Sequence, residues 1–246
     1  MARRNSKLIA FNNRGQVPTI VCMDKTTVDL GVNFNKLIRA LQKYVDRHFA
    51  PVWGTPAKLV KGTRLRSGSW TLGFFDAAKD ALPFLDKKKM GKAFGRHRLG
   101  TNGLPLAVIC VLPTRENGEE VSLVASHELA EMLVDPSINL WVLGPRNTFH
   151  AYETCDVCEQ ESFEIDGITM SDFVYPAFFE AFRKPRSTKF DHLNKIHSPF
   201  QILKGGYSQV RKGRKSMKMF GSPTKKRRFE KENRKLHRSE YRDGKA

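Results

Sequence analysis

Residues 126–136 read Ser-His-Glu-Leu-Ala-Glu-Met-Leu-Val-Asp-Pro. On an α-helix, side chains at i and i+4 share a face, so His127 and Glu131 point the same way. Asp135 continues that stripe, and Glu128 lies about 100° around from His127. The rest of the circumference is apolar: Leu123, Ala125, Leu129, Ala130, Met132, Leu133 and Val134. An imidazole and a carboxylate on one face of such a helix form a donor pair for a divalent cation, with Glu128 placed as a base beside it. The plain alternative is a solvated helix face. In a chain with 43 Lys+Arg against 25 Asp+Glu, that face should carry Lys or Arg, and this one carries neither.

The spacing is that of the metalloprotease signature HExxH, with Glu131 where the second His would stand. A carboxylate oxygen can fill that position, because Zn²⁺ accepts His nitrogen, Asp or Glu oxygen and Cys sulfur. The surrounding charge points the same way. The chain has a formal charge of +18, yet residues 116–182 hold fourteen acids and one base, Arg146. Carboxylates gathered in space repel one another, and a bound cation offsets that repulsion.

A third ligand is available in Tyr152-Glu153-Thr154-Cys155-Asp156-Val157-Cys158-Glu159, where Glu153 and Asp156 are the leading candidates. The Cys155/Cys158 pair is half of a zinc-ribbon pattern without its second half, so a thiol ligand is the weaker choice. Flanking acids oppose thiolate formation there, which argues against a redox role. Cys22 and Cys110 sit in apolar strand-like runs and read as buried hydrophobes. Asp135-Pro136 has an ordinary explanation as the end of the helix.

Several short motifs recur along the same stretch: Trp53-Gly54, Gly95-Arg96-His97, and Gly103-Leu104-Pro105-Leu106-Ala107-Val108. Further on come Ser126 to Pro136, Glu153 to Glu159, Ser171-Asp172-Phe173-Val174-Tyr175-Pro176 and Gly205-Gly206-Tyr207. In these, the region from about Asn33 to Tyr207 resembles a family of zincin-like proteins of bacteria and phages. A narrower likeness, limited to the HELAE helix and Asn139-Leu140-Trp141, is to plant phosphate-induced Exordium-like secreted proteins. The zincin-like resemblance implies a zinc site with His127 and Glu131 as ligands and Asp156 or Glu153 completing it from a segment folded back over the helix. It implies Glu128 as general base towards a water acidified by the metal, and by analogy a metallopeptidase. It supplies no substrate. So carboxylate-rich a site also admits Ca²⁺ or Mn²⁺. His97 or Tyr152 would be the donor to a developing oxyanion, although a surface position is the plain expectation for His97.

The elements that must position these groups follow from periodicity. Strands are expected at Pro18–Met23, Ala57–Lys61, Ser69–Phe75 and Leu104–Leu112, the last ending in a Gly-containing turn before the metal-type helix. An amphipathic helix is expected from Phe34 to Phe49, a basic loop over Lys87–Leu99, and a hairpin over Ser162–Met170. The pattern is α+β: a zincin-like domain over residues 1–210, with a mixed β-sheet packed on the active-site helix. From Arg211 to Ala246 fifteen Lys/Arg face four acids, so a disordered basic tail is expected. That tail would either keep the chain soluble or bind nucleic acid without sequence preference. The run Leu8–Phe11 is too short for a signal peptide, and no stretch is long and apolar enough for a membrane span. A cytoplasmic protein is expected, or one in the host cytoplasm or virion if phage-encoded. The competing class is a non-enzymatic protein with a structural cation.

Overall fold

The computed structural model describes residues 17–85, 94–213 and 215–231. At its centre is a five-stranded mixed sheet built from β1 (Thr19–Asp24), β2 (Lys58–Gly62), β3 (Trp70–Phe75), β4 (Gly95–Leu99) and β5 (Pro105–Cys110). Their order is β2-β1-β3-β5-β4, and all pair in parallel except β4, which runs antiparallel to β5. Every residue of β3 and β5 is buried, which explains their unbroken apolar sequence: strands covered on both faces have no solvent side to signal. Alternate residues serve different cores. Ala107 and Ile109 join the larger cluster with Leu72 and Phe74, while Leu106, Val108 and Cys110 face a smaller one with Phe75 and Leu85.

Helix α1 (Phe34–Lys43) starts at Asn33, whose side chain accepts from the Lys36 amide. It continues through a π-helical turn, Tyr44–Phe49, into the short α2 (Ala50–Trp53). Gly54 ends it at φ 68°, a left-handed conformation suited to glycine. A turn of helix, α3 (Ala78–Ala81), follows β3. The fifth strand stops at Cys110 rather than Leu112, because Val111 opens α4 (Val111–Glu116). Next comes α5 (Val121–Val134), which packs against β5 and β4. Ten of its fourteen residues are buried, so its acids cannot form a solvated face.

A second sheet has the order β11-β10-β7-β6 and consists of β6 (Trp141–Gly144), β7 (Thr148–Ala151), β10 (Tyr207–Lys212) and β11 (Lys215–Phe220). The expected hairpin forms as β8 (Ser162–Ile165) and β9 (Ile168–Ser171), turning at Asp166-Gly167 with both residues at positive φ. Ser126 ties this hairpin to α5 by accepting from the Ser171 amide. The last described element is α6 (Pro223–Lys231).

The architecture is α+β with a mixed sheet on α5. Two expectations are corrected. Residues 95–99, read as part of a basic loop, are strand β4; the lysines at 87–89 and 92 lie outside the described residues. Residues 211–231, read as disordered, supply β11, the end of β10, and α6. Lys225 and Phe229 of that helix are buried, Phe229 against Tyr207 and Phe220. Apolar residues at long spacing therefore suffice to order this part of a basic run. Residues 232–246, and the N-terminal run Leu8–Phe11, lie outside the described residues. No helix among the described residues is long and apolar enough to cross a membrane.

Candidate metal centre

Helix α5 brings His127, Glu128 and Glu131 into the space between β4 and the segment after β7. His127 Nε2 lies 3.2 Å from Glu131 Oε1 and 3.4 Å from Asp156 Oδ1. Glu131 is fully buried, Asp156 is 2% exposed, and the His127 side chain is 12% open. The Cys155 amide donates to Glu131 Oε1 at 3.3 Å and orients that carboxylate. Burial, the largest single influence on His127, pulls its pKa down. Glu131 and Asp156 outweigh it and hold the imidazole well above its usual value.

Of the residues named from sequence, the structure brings Glu131 and Asp156 each within 3.4 Å of the His127 imidazole. Glu153 goes elsewhere: its carboxylate groups with Glu131 and His97, while Cys155 groups with His127 and Glu131. Burial pushes the Cys155 thiol up to about 12. Cys22 and Cys110 are buried strand residues, as expected. The Asp135 carboxylate accepts from the amides of Asn139 and Leu140, and its carbonyl accepts from Ile138. This turn holds Ile138, a β-branched residue, at φ 52° with 1% exposure, so Asp135 shapes the loop after the helix.

His97 is the main residue that sequence reasoning misplaced. It lies on β4 with no exposure, its Nδ1 3.2 Å from Glu128 Oε2 and its Nε2 3.0 Å from the Asp135 carbonyl. The clue was Gly95, two residues earlier. A Cβ there would sit 2.6 Å from Glu128 Cγ and 2.7 Å from Val124 Cγ1, so glycine is what lets α5 approach the strand. Tyr152 packs its ring on Trp53 and Phe179, away from the role of oxyanion donor.

A cavity of about 70 Å³ adjoins the centre, and His127 and Glu128 both line it. Its other walls come from Phe94, Gly95 and Arg96 before and on β4, from Tyr207 on β10, and from Lys225 and Arg228 on α6. Two ion pairs hold α6 there, Lys225 with Glu159 and Arg228 with Glu119. Sequence offered no signal for Tyr207 or α6 as cavity walls, since their approach depends on how β10 pairs with β7.

The chain matches no protein-family model, no curated protein and no solved structure.

Proposed function

We propose that this chain is a zincin-like, zinc-dependent hydrolase, with peptides as the first substrate class to try. One observation carries the reading: His127, with Glu131 and Asp156 each within 3.4 Å of its Nε2, lines the same cavity as Glu128. The donor set suits the ion. One imidazole and two carboxylates are borderline ligands for Zn²⁺, and ligand atoms around a tetrahedral zinc are about 3.3–3.4 Å apart when its bonds are about 2.0–2.1 Å. The separations from His127 are 3.2 and 3.4 Å. Ca²⁺ and Mn²⁺ fit the carboxylates as well.

His127, Glu131 and Asp156 would hold the cation, whose chemistry is to polarise a carbonyl oxygen and acidify water. Glu128 accepts the proton of the attacking water at a carboxylate that faces the cavity. His97 Nδ1 stands 3.2 Å from Glu128 Oε2, and its Nε2 donates to the Asp135 carbonyl at 3.0 Å. Arg96 and Tyr207 supply donors to the same cavity. Metal analysis of the purified protein tests the first step. Wild type should carry zinc that His127→Ala lacks, and Glu128→Gln should keep the metal while losing hydrolysis of a mixed peptide library. Equally little zinc in wild type and His127→Ala would end the proposal.

A second reading is favoured by the burial of Glu131 and Asp156: a cation that only stabilises the fold, in a protein whose basic residues 211–246 bind nucleic acid. It predicts that Glu128→Gln is silent, that chelation lowers Tm, and that removing residues 211–246 abolishes salt-sensitive DNA binding.

A further inference from the structure

A further donor reaches His127 from beside Asp156. His127, Glu131 and Cys155 each place a ligand atom within 4.8 Å of the other two. The backbone fixes where that sulfur starts. The Cys155 amide donates to Glu131 Oε1 at 3.3 Å, and its carbonyl accepts from the Cys158 amide at 3.1 Å. The preceding carbonyl, that of Thr154, accepts from the Val174 amide at 2.8 Å. Cys155 is therefore tied to α5 and to its own turn where its side chain meets the imidazole. Cys158, three residues on, is equally buried and packs with Val174, Phe178 and Phe190.

Imidazole nitrogen, carboxylate oxygen and thiolate sulfur are the donor kinds that Zn²⁺ accepts. With bonds of about 2.3 Å to sulfur and about 2.0–2.1 Å to nitrogen or oxygen, tetrahedral zinc sets the sulfur about 3.5 Å from each partner. That separation falls inside the limit that encloses the three groups. Sulfur also decides between ions. Ca²⁺ and Mn²⁺ suit oxygen donors, whereas a thiolate favours zinc. Thr154 Oγ1 lies 3.5 Å from Cys155 Sγ. Towards a thiolate that hydroxyl can only donate, which makes it the kind of outer partner that orients a ligand.

We propose that Cys155 is a thiolate ligand of the cation at His127 and selects zinc over Mn²⁺ and Ca²⁺ there. This deepens the metal reading of that site, on which it rests. The sulfur binds as its proton passes to solvent, so metal uptake releases a proton from Cys155. The sulfur ligand stands with either occupant of the remaining position, Asp156 or a water.

The test titrates the full chain, stripped by chelation, with Co²⁺ as an optical stand-in for zinc. Wild type is expected to show the near-ultraviolet band of thiolate-to-cobalt charge transfer. Cys155→Ser is expected to lose that band and Cys158→Ser to keep it, with circular dichroism checking that each is folded. Zinc affinity should fall in Cys155→Ser by more than the about 10–100-fold typical of losing an outer-shell partner, while Mn²⁺ affinity holds. X-ray absorption of zinc-loaded wild type gives a readout that needs no variant, a sulfur shell at about 2.3 Å. Cobalt bound in wild type and lost in His127→Ala, with no charge-transfer band and no sulfur shell, overturns the thiolate ligand and leaves the site itself standing. A band lost in Cys158→Ser but kept in Cys155→Ser overturns the assignment to Cys155. Binding of neither cobalt nor zinc overturns both.

Discussion

His48 and His192 meet in one part of the molecule, His127 stands beside Glu131 in another, and the surroundings treat the two sites oppositely. His48 Nδ1 lies 3.1 Å from His192 Nε2, among the rings of Phe163, Phe173 and Tyr175. Burial first, then His48 and Lys189, push His192 down to about 4, and burial and Arg47 lower His48. Both rings are therefore neutral at pH 7 and act as packing surface, with one hydrogen bond between them. Around His127, carboxylates reverse the effect of burial and favour a positive charge. Partner charge, more than depth, decides whether a buried imidazole is inert filler or part of a charged site.

The largest expected effect comes from removing the ring that walls the neutral pair. Phe173 is fully buried, stacks on His192 and packs edge-on against Phe49 and Tyr44. Phe173→Ala should cost about 3–5 kcal/mol in denaturant unfolding. The His192 NMR titration should also move up towards about 6.5, the value of a free imidazole. An unchanged His192 midpoint in a destabilised protein would break the comparison.

On the other side, Glu131→Gln removes the charge that outweighs burial at His127. Its NMR midpoint should fall, and zinc affinity should drop by more than the about 10–100-fold typical of losing an outer-shell partner. Retained zinc with an unmoved midpoint would show that Glu131 is not the partner that matters.

His192 and His127 should also give opposite pH limbs. His192 is depressed in the folded state, so unfolding takes up a proton below the unfolded value. Stability is therefore full above about pH 6.5 and declines as pH falls towards about 4, the value at which the folded ring titrates. His192→Gln should flatten that limb. In chelated protein the raised His127 contributes below its unfolded value of about 6.5 and loses that contribution as pH rises through its folded value. His127→Gln should then destabilise more at pH 6 than at pH 9. The smallest effect is expected from His48→Phe, which keeps a ring against Phe163 but deletes the bond to His192. It should cost about 0.5–1.5 kcal/mol and leave metal content unchanged.

What could be read from the sequence was whatever obeys a local period. The apolar runs of β1, β3 and β5, the amphipathic helix from Phe34, the hairpin over Ser162–Met170 and the His127/Glu131 face of α5 all announce themselves within a few residues. Strand β4 does not. Gly-Arg-His-Arg-Leu looks like exposed loop until α5 buries His97 and uses Gly95 as its contact point. The basic run after Arg211 misled for a related reason: Phe220 and Phe229 lie too far apart to form a visible pattern, yet β10 brings both to Tyr207. The pairing of His127 with Glu131 was legible, but the placing of Cys155 and Asp156 near His127 and of Glu153 near His97 is set by the fold of residues 152–158 and has no sequence signature.

Helix α6 places two cationic side chains, Lys225 and Arg228, in the wall of the cavity that His127 and Glu128 also line, and it is held there by ion pairs to Glu119 and Glu159. The charge of that wall is thus set by a segment remote in sequence from the groups it faces. Substitutions confined to residues 222–231 would change the charge facing His127 and Glu128 across the cavity without altering α5 itself.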